Sequence, residues 1–308
     1  MRVAVLDLGT NTFNLLIVDI LSDGTHKKLF NEKLAPKIGL GGINNKIISS
    51  DAFERGLQSL KIQKQIIDSF NPDKVFLFGT SAMRNAKNAP EFIDEVKEQL
   101  GLQIHIISGE QEAEYIFHGN KLAFDWGDSL GLILDIGGGS NEFIIADNKT
   151  IKWKQSFEIG MSRLLQMFTP SDPFRMQDIE SIEQYVDSKL QPLYDACLKY
   201  SPAFLIGSSG AFDTFRDMII ARENLIDNGV AWYEISYPEF LETKKQIISL
   251  PQTELINVPG MDPMRVDMIG IAAVFVDFVM RRLSLHKIYQ SHYSLKEGVI
   301  DRLIRNAL

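Results

Sequence analysis

Two stretches of this chain share one pattern, in which a strand ends in an aspartate and a glycine turn leads into a second strand. In the more pronounced copy, apolar residues 132–134 precede Asp135, glycines occupy 137–139, and a second apolar run occupies 143–145. Two apolar runs around a cluster of turn residues predict a β-hairpin. Because glycine lacks a Cβ, three glycines in a row leave the backbone of the turn free to adopt positive φ angles and to expose its N–H groups.

The N-terminus carries a second copy of this pattern. Apolar residues 3–6 precede Asp7, a short polar turn follows, and residues 15–18 are apolar again. The two aspartates are 128 positions apart (135 − 7), and the same offset pairs Gly9 with Gly137 and Thr12 with Ser140. A repeat at a constant offset predicts two related domains that each contribute one hairpin.

Both turns are typical of a site for an anion such as phosphate. Consecutive backbone N–H groups can surround an anion without interference from side chains. An aspartate beside a phosphate requires a cation or an ordered water between the two negative groups. We therefore predict phosphate contacts from both turns, by Gly9, Thr10, Asn11 and Thr12 in the first copy and by Gly137, Gly138, Gly139, Ser140 and Asn141 in the second.

The composition limits the class of protein. The chain has 308 residues, of which 45% are hydrophobic, enough for one large or two medium-sized domains. Cys197 is the only cysteine, which excludes an internal disulfide and predicts a reducing, cytoplasmic location. No signal-peptide layout precedes the first strand, and no apolar run approaches the ~20 residues of a membrane span. The net charge of −8 argues against a general nucleic-acid binder.

Strands and helices alternate between the two hairpins and after the second, which predicts an α/β layer architecture. We predict strands at 75–78, 104–107, 204–206 and 288–290. We predict helices that begin at Asp51 and at Asn88, one at 110–124, a long one through 179–193, one that begins at Asp262, and one at 295–308. The predicted domain I comprises residues 1–120 and is completed by the C-terminal helix 295–308, and domain II comprises residues 121–294.

The paired turns resemble the two phosphate loops of the actin-like ATPase superfamily. The sequences of residues 7–14 (DLGTNTFN) and 135–142 (DIGGGSNE) are similar to the exopolyphosphatase and guanosine pentaphosphate phosphatase family, in its short two-domain form. Segments 80–88, 108–113 and 294–298 also resemble motifs of that family in the same order, so the resemblance covers nearly the whole chain. It implies two actin-like (ribonuclease H-like) α/β domains, with mixed sheets flanked by helices and an active-site cleft between them.

Two residues are the candidates for catalysis. Arg84 follows a predicted strand and a small-residue loop, where a planar guanidinium suits the paired oxygens of a phosphate. Glu112 lies in the first turn of a helix capped by Ser108, and the resemblance places the catalytic glutamate of the family at this position. A carboxylate that faces a phosphate can accept a proton from an attacking water. Gln111 stands where the family has a second glutamate, and either residue serves in the capping box.

Three carboxylates are candidate ligands for a metal. A hard cation such as Mg²⁺ prefers oxygen ligands and keeps several waters, so two or three carboxylates suffice. We predict Asp7, Asp135 and Glu142 for this role, with Mg²⁺ or another divalent cation as the cofactor. Elsewhere in the cleft we predict Gly207, Ser208, Ser209, Gly210 and Glu297.

The resemblance implies hydrolysis of the terminal phosphoanhydride of inorganic polyphosphate. An alternative substrate is the alarmone guanosine 5′-triphosphate 3′-diphosphate (pppGpp), and two other classes are an actin-like kinase and a non-catalytic sensor of polyphosphate or alarmone. A sensor would be expected to lack Arg84 or Glu112, and both are present. Because the chain ends directly after the helix that should complete domain I and is acidic overall, we expect short polyphosphate chains to be preferred. The sequence predicts no nucleic-acid or membrane partner and leaves a homodimer open.

Overall fold

The structure, a computed structural model, describes residues 1–305, which contain a five-stranded and a six-stranded β-sheet. The strands of the first sheet are β1 (Arg2–Leu8), β2 (Phe13–Ile20), β3 (His26–Leu34), β4 (Lys74–Gly79) and β5 (Ile104–Ile106). Those of the second sheet are β6 (Gly131–Ile136), β7 (Asn141–Ala146), β8 (Ile151–Phe157), β9 (Phe204–Ser208), β10 (Trp232–Ser236) and β11 (Lys287–Ser291).

Helices follow most of the strands. They are α1 (Ser50–Phe70), α2 (Ser81–Asn85), α3 (Ala89–Leu100), α4 (Gly109–Ala123), α5 (Met161–Phe168), α6 (Met176–Asp187), α7 (Gln191–Tyr200), α8 (Gly210–Arg222), α9 (Tyr237–Ser249), α10 (Gln252–Leu255), α11 (Ile269–Arg282) and α12 (Leu295–Ile304). The predicted end of the last helix, residues 306–308, lies outside the described residues.

The two sheets have equivalent strand orders. The first sheet is ordered β3-β2-β1-β4-β5, and the second contains the same arrangement as β8-β7-β6-β9-β11, with β10 added at its edge. In each sheet the two hairpin pairings are antiparallel, and the strands that follow the central one are parallel to it. This agreement confirms the duplication that the sequence predicts and the mixed α/β architecture.

Three apolar clusters hold the layers together. One cluster lies between the first sheet and helices α1 and α3, and the largest lies on the outer face of the second sheet, under helices α5 to α9 and α11. The third cluster lies between the two sheets and contains residues of both, together with α4 and α12. Helix α12 packs closely on α4. Gly298 lies so near the carbonyl of Tyr115 that a Cβ at this position would overlap it. The middle layer therefore joins both sheets, while the exact domain boundaries stay a prediction.

Several predicted elements are confirmed, and three need correction. Helix α1 begins at Ser50 rather than at Asp51. The predicted long helix through 179–193 is two helices, α6 and α7, which are interrupted at residues 188–190. The helix predicted to begin at Asp262 begins at Ile269, because residues 262–268 form turns.

No helix within residues 1–305 is both long enough and apolar enough to cross a membrane.

Candidate active site

The turns of the two hairpins close in the same way. The backbone N–H of Gly9 donates to the carbonyl of Thr12 at 3.0 Å, and that of Gly137 donates to the carbonyl of Ser140 at 3.0 Å. In register with them, Asp7 of β1 faces Asn14 of β2, and Asp135 of β6 faces Glu142 of β7. The two copies therefore present an aspartate and a tight turn at the same place in each sheet.

The glycines of the second turn are needed for close approach and not for positive φ angles. None of Gly137, Gly138 and Gly139 has a positive φ, so the turn does not use this conformational freedom of glycine. A Cβ on Gly138 would instead overlap the side chain of Asn11, and one on Gly139 would overlap Ser81 and Thr10. Glycine thus allows the second turn to lie directly against the first one across the cleft.

Helix α4 presents Glu112 to this cleft. The helix begins with the predicted capping box, in which Ser108 Oγ accepts from the Gln111 N–H at 3.1 Å and Gln111 Oε1 accepts from the Ser108 N–H at 3.0 Å. This box fixes the first turn, so that Glu112 lines the cleft with a side chain that is only 12% exposed. The N-terminal end of a helix favours the ionised form of such a carboxylate.

Arg84, in the last turn of α2, contacts Glu112. Its Nη1 donates to Glu112 Oε2 at 3.0 Å and to the carbonyl of Ile107 at 3.0 Å. Its Nη2 lies 3.4 Å from Ser140 Oγ in the second turn and 3.6 Å from Glu158 Oε1. The guanidinium therefore connects the candidate general base to the second glycine turn.

Four carboxyl groups, three that line the cleft and Glu142 behind it, have pKa values above the ordinary range. Burial raises the pKa of Asp7 and of Glu142 to about 7, and it also raises that of Asp135. Burial and the nearby Glu142 raise the pKa of Glu112 well above its usual value, whereas the Arg84 guanidinium lowers it. Neighbouring carboxylates raise one another's pKa, so this cluster concentrates negative charge that a cation would relieve.

Asp7 and Asp135 fit a hard cation. Asp7 Oδ1 is buried and has no hydrogen-bond partner, while Asp7 Oδ2 accepts from Asn14 Nδ2 at 3.3 Å. Asp135 accepts a hydrogen bond from Ser294 Oγ and also lines the cleft. Two carboxylates that line one cleft are a donor set that Mg²⁺ can use together with waters and substrate phosphates.

The structure does not bring Glu142 together with these two aspartates as a third ligand. In the described part of the chain, no group of three or more acidic, histidine or cysteine side chains could hold one metal ion. Glu142 is 1% exposed, and its Oε1 accepts from Ser140 Oγ at 2.8 Å and from Ser156 Oγ at 2.6 Å. Its carboxylate thus holds the second turn in place from behind.

Some predicted cleft residues lie behind the cleft. Asn141 is fully buried, and its amide donates to the carbonyl of Ile159 at 3.0 Å, so this donor is not available to a phosphate. Gly207 and Ser208 belong to the buried strand β9 and do not line the cleft. Arg84 does not line the cleft either, but it contacts two residues that do, Glu112 and Ser140. The other predicted residues of the two turns and of the cleft line it: Gly9, Thr10, Asn11, Thr12, Gly137, Gly138, Gly139, Ser140, Ser209, Gly210 and Glu297.

A second arginine, which the sequence did not reveal, supports the second turn. Arg163 of α5 is buried and donates from Nε to the carbonyl of Gly139 at 2.7 Å and from Nη2 to Glu158 Oε2 at 2.7 Å. Glu158 also accepts from Ser81 Oγ at 3.0 Å and so stands between Arg84 and Arg163. The only sequence signal at this position is a charged residue inside the short helix 161–168, which by itself does not indicate this role.

The cleft has a volume of about 460 Å³. One wall carries apolar side chains of α5 and of the segment before α11, including Met161, Met264 and Met268. Basic residues line it too, among them Lys33 of β3, which is at the edge of the first sheet opposite to β5 and the following helix α4. The cleft is therefore long enough to contact parts of a ligand on both sides of the glycine turns.

Comparison with known proteins agrees with this geometry. The model of the Ppx/GppA phosphatase family matches residues 17–307. A putative exopolyphosphatase of Haemophilus influenzae is 26% identical over 99% of this chain and 92% of its own length. The crystal structure of an exopolyphosphatase from Cytophaga hutchinsonii is 39% identical, with a TM-score of 0.96, and the match covers 100% of this chain and 99% of that one.

An Aquifex aeolicus member of the family shares the fold, with 22% identity, a TM-score of 0.80 and coverage of 99% and 98% of the two chains. The shared fold, with two mixed sheets flanked by helices, is the one that the sequence predicts. The family match over nearly the whole chain also confirms the resemblance of the paired turns. The chain belongs to the Ppx/GppA phosphatase family and is accordingly a hydrolase of phosphoanhydride bonds.

Proposed function

We propose that this protein is a Mg²⁺-dependent exopolyphosphatase that removes the terminal phosphoryl group of inorganic polyphosphate. The observation that carries the proposal is the Arg84–Glu112 pair, joined at 3.0 Å and placed against the second glycine turn. The names of the H. influenzae and C. hutchinsonii relatives, a putative exopolyphosphatase and an exopolyphosphatase, support the same substrate class.

In the proposed reaction, the terminal phosphoryl group lies between the two turns, with its oxygens near backbone N–H groups and Arg84. Glu112 accepts a proton from a water whose oxygen attacks the terminal phosphorus. The bond from that phosphorus to the bridging oxygen breaks, and the shortened chain leaves with the bridging oxygen. Because phosphoryl transfer requires little covalent help, positioning and electrostatics supply most of the rate acceleration.

Arg84 has a second role in this scheme, which is to keep Glu112 ionised. Burial favours the protonated carboxyl, which could not accept a proton, and the guanidinium at 3.0 Å opposes this effect on the pKa. Asp7 and Asp135 would hold the Mg²⁺ ion, which when bound would offset negative charge on the substrate oxygens. Glu142, Ser140 and Ser156 keep the second turn in position.

The alternative substrate pppGpp is favoured by the apolar wall of the cleft. Met161, Met264 and Met268 offer apolar surface that a nucleoside could contact and that an inorganic chain would not use.

For inorganic polyphosphate we propose a preference for short chains, since a net charge of −8 provides no broad basic surface to attract a long polyanion. We propose a cytoplasmic location, which agrees with a single free cysteine.

Phosphate release from four substrates, measured in parallel with Mg²⁺ and with EDTA, tests this proposal. We expect release from tripolyphosphate and from long-chain polyphosphate, a higher kcat/KM per chain for tripolyphosphate, and loss of activity in EDTA. A kcat/KM that is highest for pppGpp would favour the alternative substrate. Release from ATP alone would contradict both assignments and favour an actin-like ATPase or kinase.

A further inference from the structure

Strand β3 carries a β-bulge that changes which of its side chains face the cleft. The strand pairs with β2, and the register of this pairing shifts between Ile17 and Val18. Ile17 faces Phe30, whereas Val18 faces Lys28. Leu29 is therefore the extra residue, without a partner of its own. A bulge of this kind re-aims the side chains on one side of it relative to strict alternation.

The bulge places three polar side chains on one face of the strand. Lys28 is opposite Val18, Asn31 is opposite Leu16, and Lys33 is opposite Asn14, which are alternate positions along β2. Phe30, at the position between, packs into the cluster beneath α1 instead. Without the bulge, Lys28 would point to the same side as Phe30 and away from the cleft.

These lysines and one from α12 form a basic group, which we call the distal lysines: Lys28, Lys33 and Lys296. All three line the cleft. Strand β3 is at the edge of the first sheet opposite to β5, the strand that leads into α4 and Glu112. Lys296 Nζ donates to Asn31 Oδ1 at 3.1 Å. Among the residues that the structure describes, Lys28 and Lys33 have no acidic partner at ion-pair distance. The positive charge of this group is thus left largely without a partner.

The charged groups around Lys33 favour an additional anion at this position. Burial lowers the pKa of Lys33, and the positive charges of Arg265 and Lys296 lower it further. The carboxylates of Asp213 and Asp262 act in the opposite direction on the same pKa. Since Arg265 is already paired with Asp262, an additional anion at Lys33 would relieve the repulsion among the basic groups.

The position of Lys33 relative to the glycine turns is set by the sheet. Asp7 of β1 faces Asn14 of β2, which in turn faces Lys33 of β3. Two strand spacings separate the Cα atoms of Asp7 and Lys33 by about 10 Å. Lys296 is close enough to lower the pKa of Asp7. The distal lysines therefore lie beside the first glycine turn, on the side of the cleft away from Glu112.

We propose that the distal lysines form a second anion subsite, which binds phosphate groups of the substrate that are remote from the scissile bond. This inference rests on the proposed function, because it assumes a ligand that reaches from the glycine turns to β3. The shared chemistry is a phosphate or diphosphate group several bonds from the cleaved one. It could come from the tail of an inorganic polyphosphate or from the 3′-diphosphate of pppGpp.

The test compares Lys33→Gln with Lys27→Gln, a matched control on the same strand. Lys27 is exposed and directly precedes Lys28, so it lies on the opposite face of β3 from the distal lysines. It does not line the cleft. Each variant is combined with Glu112→Gln so that ligand is not consumed. Calorimetry then gives the dissociation constants of tetrapolyphosphate and of orthophosphate. Circular dichroism melts confirm that both variants fold.

We expect Lys33→Gln to weaken binding of tetrapolyphosphate about tenfold, the usual scale for a lost charge-assisted contact. Orthophosphate, which is too short to reach the distal lysines, should bind unchanged, and Lys27→Gln should change neither constant. Lys33→Arg should restore most of the affinity, because it keeps the charge. An equal loss for orthophosphate, or constants equal to those of Lys27→Gln for both tetrapolyphosphate and pppGpp, would overturn the subsite.

A second pair of ligands identifies the source of the anion. If the subsite takes the 3′-diphosphate, Lys33→Gln should weaken pppGpp and leave GTP unchanged. If it takes an inorganic tail, the loss should be confined to tetrapolyphosphate. Either pattern supports the subsite, and no loss for any of these ligands overturns it. Because binding is measured without turnover, a Lys33-dependent loss would stand even if the native chain released no phosphate and the proposed function failed.

Discussion

Replacing Glu112 with glutamine is expected to lower kcat by about 10²–10⁴-fold, the usual contribution of a general base. Glutamine keeps the size of the side chain and can still contact Arg84, but it cannot accept the proton of the attacking water. Binding of tetrapolyphosphate should stay within about threefold of the native value, since the distal lysines and the glycine turns are unchanged. Steady-state phosphate release and calorimetry measure the two effects separately.

Glu110→Gln is the control for this prediction. Glu110 lies in the same first turn of α4, but it is exposed and does not line the cleft. This variant loses one negative charge at the same helix end and should keep native kinetics. A Glu112→Gln enzyme with near-native kcat would show that another group accepts the proton.

Replacing Arg84 with lysine should lower kcat/KM by about 10–100-fold, since each lost charge-assisted hydrogen bond costs on the order of 1.5–3 kcal/mol. Lysine keeps the charge but cannot contact Glu112, the Ile107 carbonyl and a phosphate oxygen at once.

Arg84→Met should show a further effect on the pH–rate profile. Without the guanidinium, the pKa of Glu112 rises further, so the acidic limb moves to higher pH.

The direction of this shift follows from which form of Glu112 is active. The base must be ionised, so activity is lost as the pH falls through the pKa of Glu112, and a higher pKa moves that loss upwards in pH. Arg282→Lys, at an exposed arginine paired with Asp187 away from the cleft, is the control. An Arg84→Lys enzyme with native kcat/KM would show that Arg84 is a structural residue only.

The sequence predicted the two hairpins and the start of α4 because their signals are local. An apolar run, an aspartate and glycines define β1–β2 and β6–β7 within about sixteen residues each, the length over which such patterns are informative. The capping box at Ser108 fixed the position of Glu112 for the same reason. The fold class, the family and the placement of Glu112 in the cleft could therefore be predicted before the structure was known.

Strands β3 and β8 were not predicted because they are edge strands with many charged side chains. Their sequences, HKKLFNEKL and IKWKQSF, show no clean alternation, and the bulge in β3 disturbs the period further. Edge strands often carry lysines that discourage pairing with other chains. In β3 two of those lysines line the cleft, which only the pairing register reveals.

The supporting groups of the site depend on tertiary packing and could not be predicted. Arg163 reaches the carbonyl of Gly139 from a different element, and the glycines are required by contacts with Asn11, Ser81 and Thr10 across the cleft. A local pattern indicates that a turn is present but does not show what lies against it. For the same reason the sequence placed Asn141 and Glu142 in the cleft, whereas the structure places them behind it.

The most direct test of this account is the product distribution from tetrapolyphosphate, followed by ³¹P NMR without added acceptor. Hydrolysis at the chain end by the cleft should produce orthophosphate and tripolyphosphate in equal amounts at early times, and Glu112→Gln should produce neither at a comparable rate. Pyrophosphate as the first and only product would show cleavage inside the chain. Equal amounts of orthophosphate from the native and Glu112→Gln proteins would contradict hydrolysis at this site.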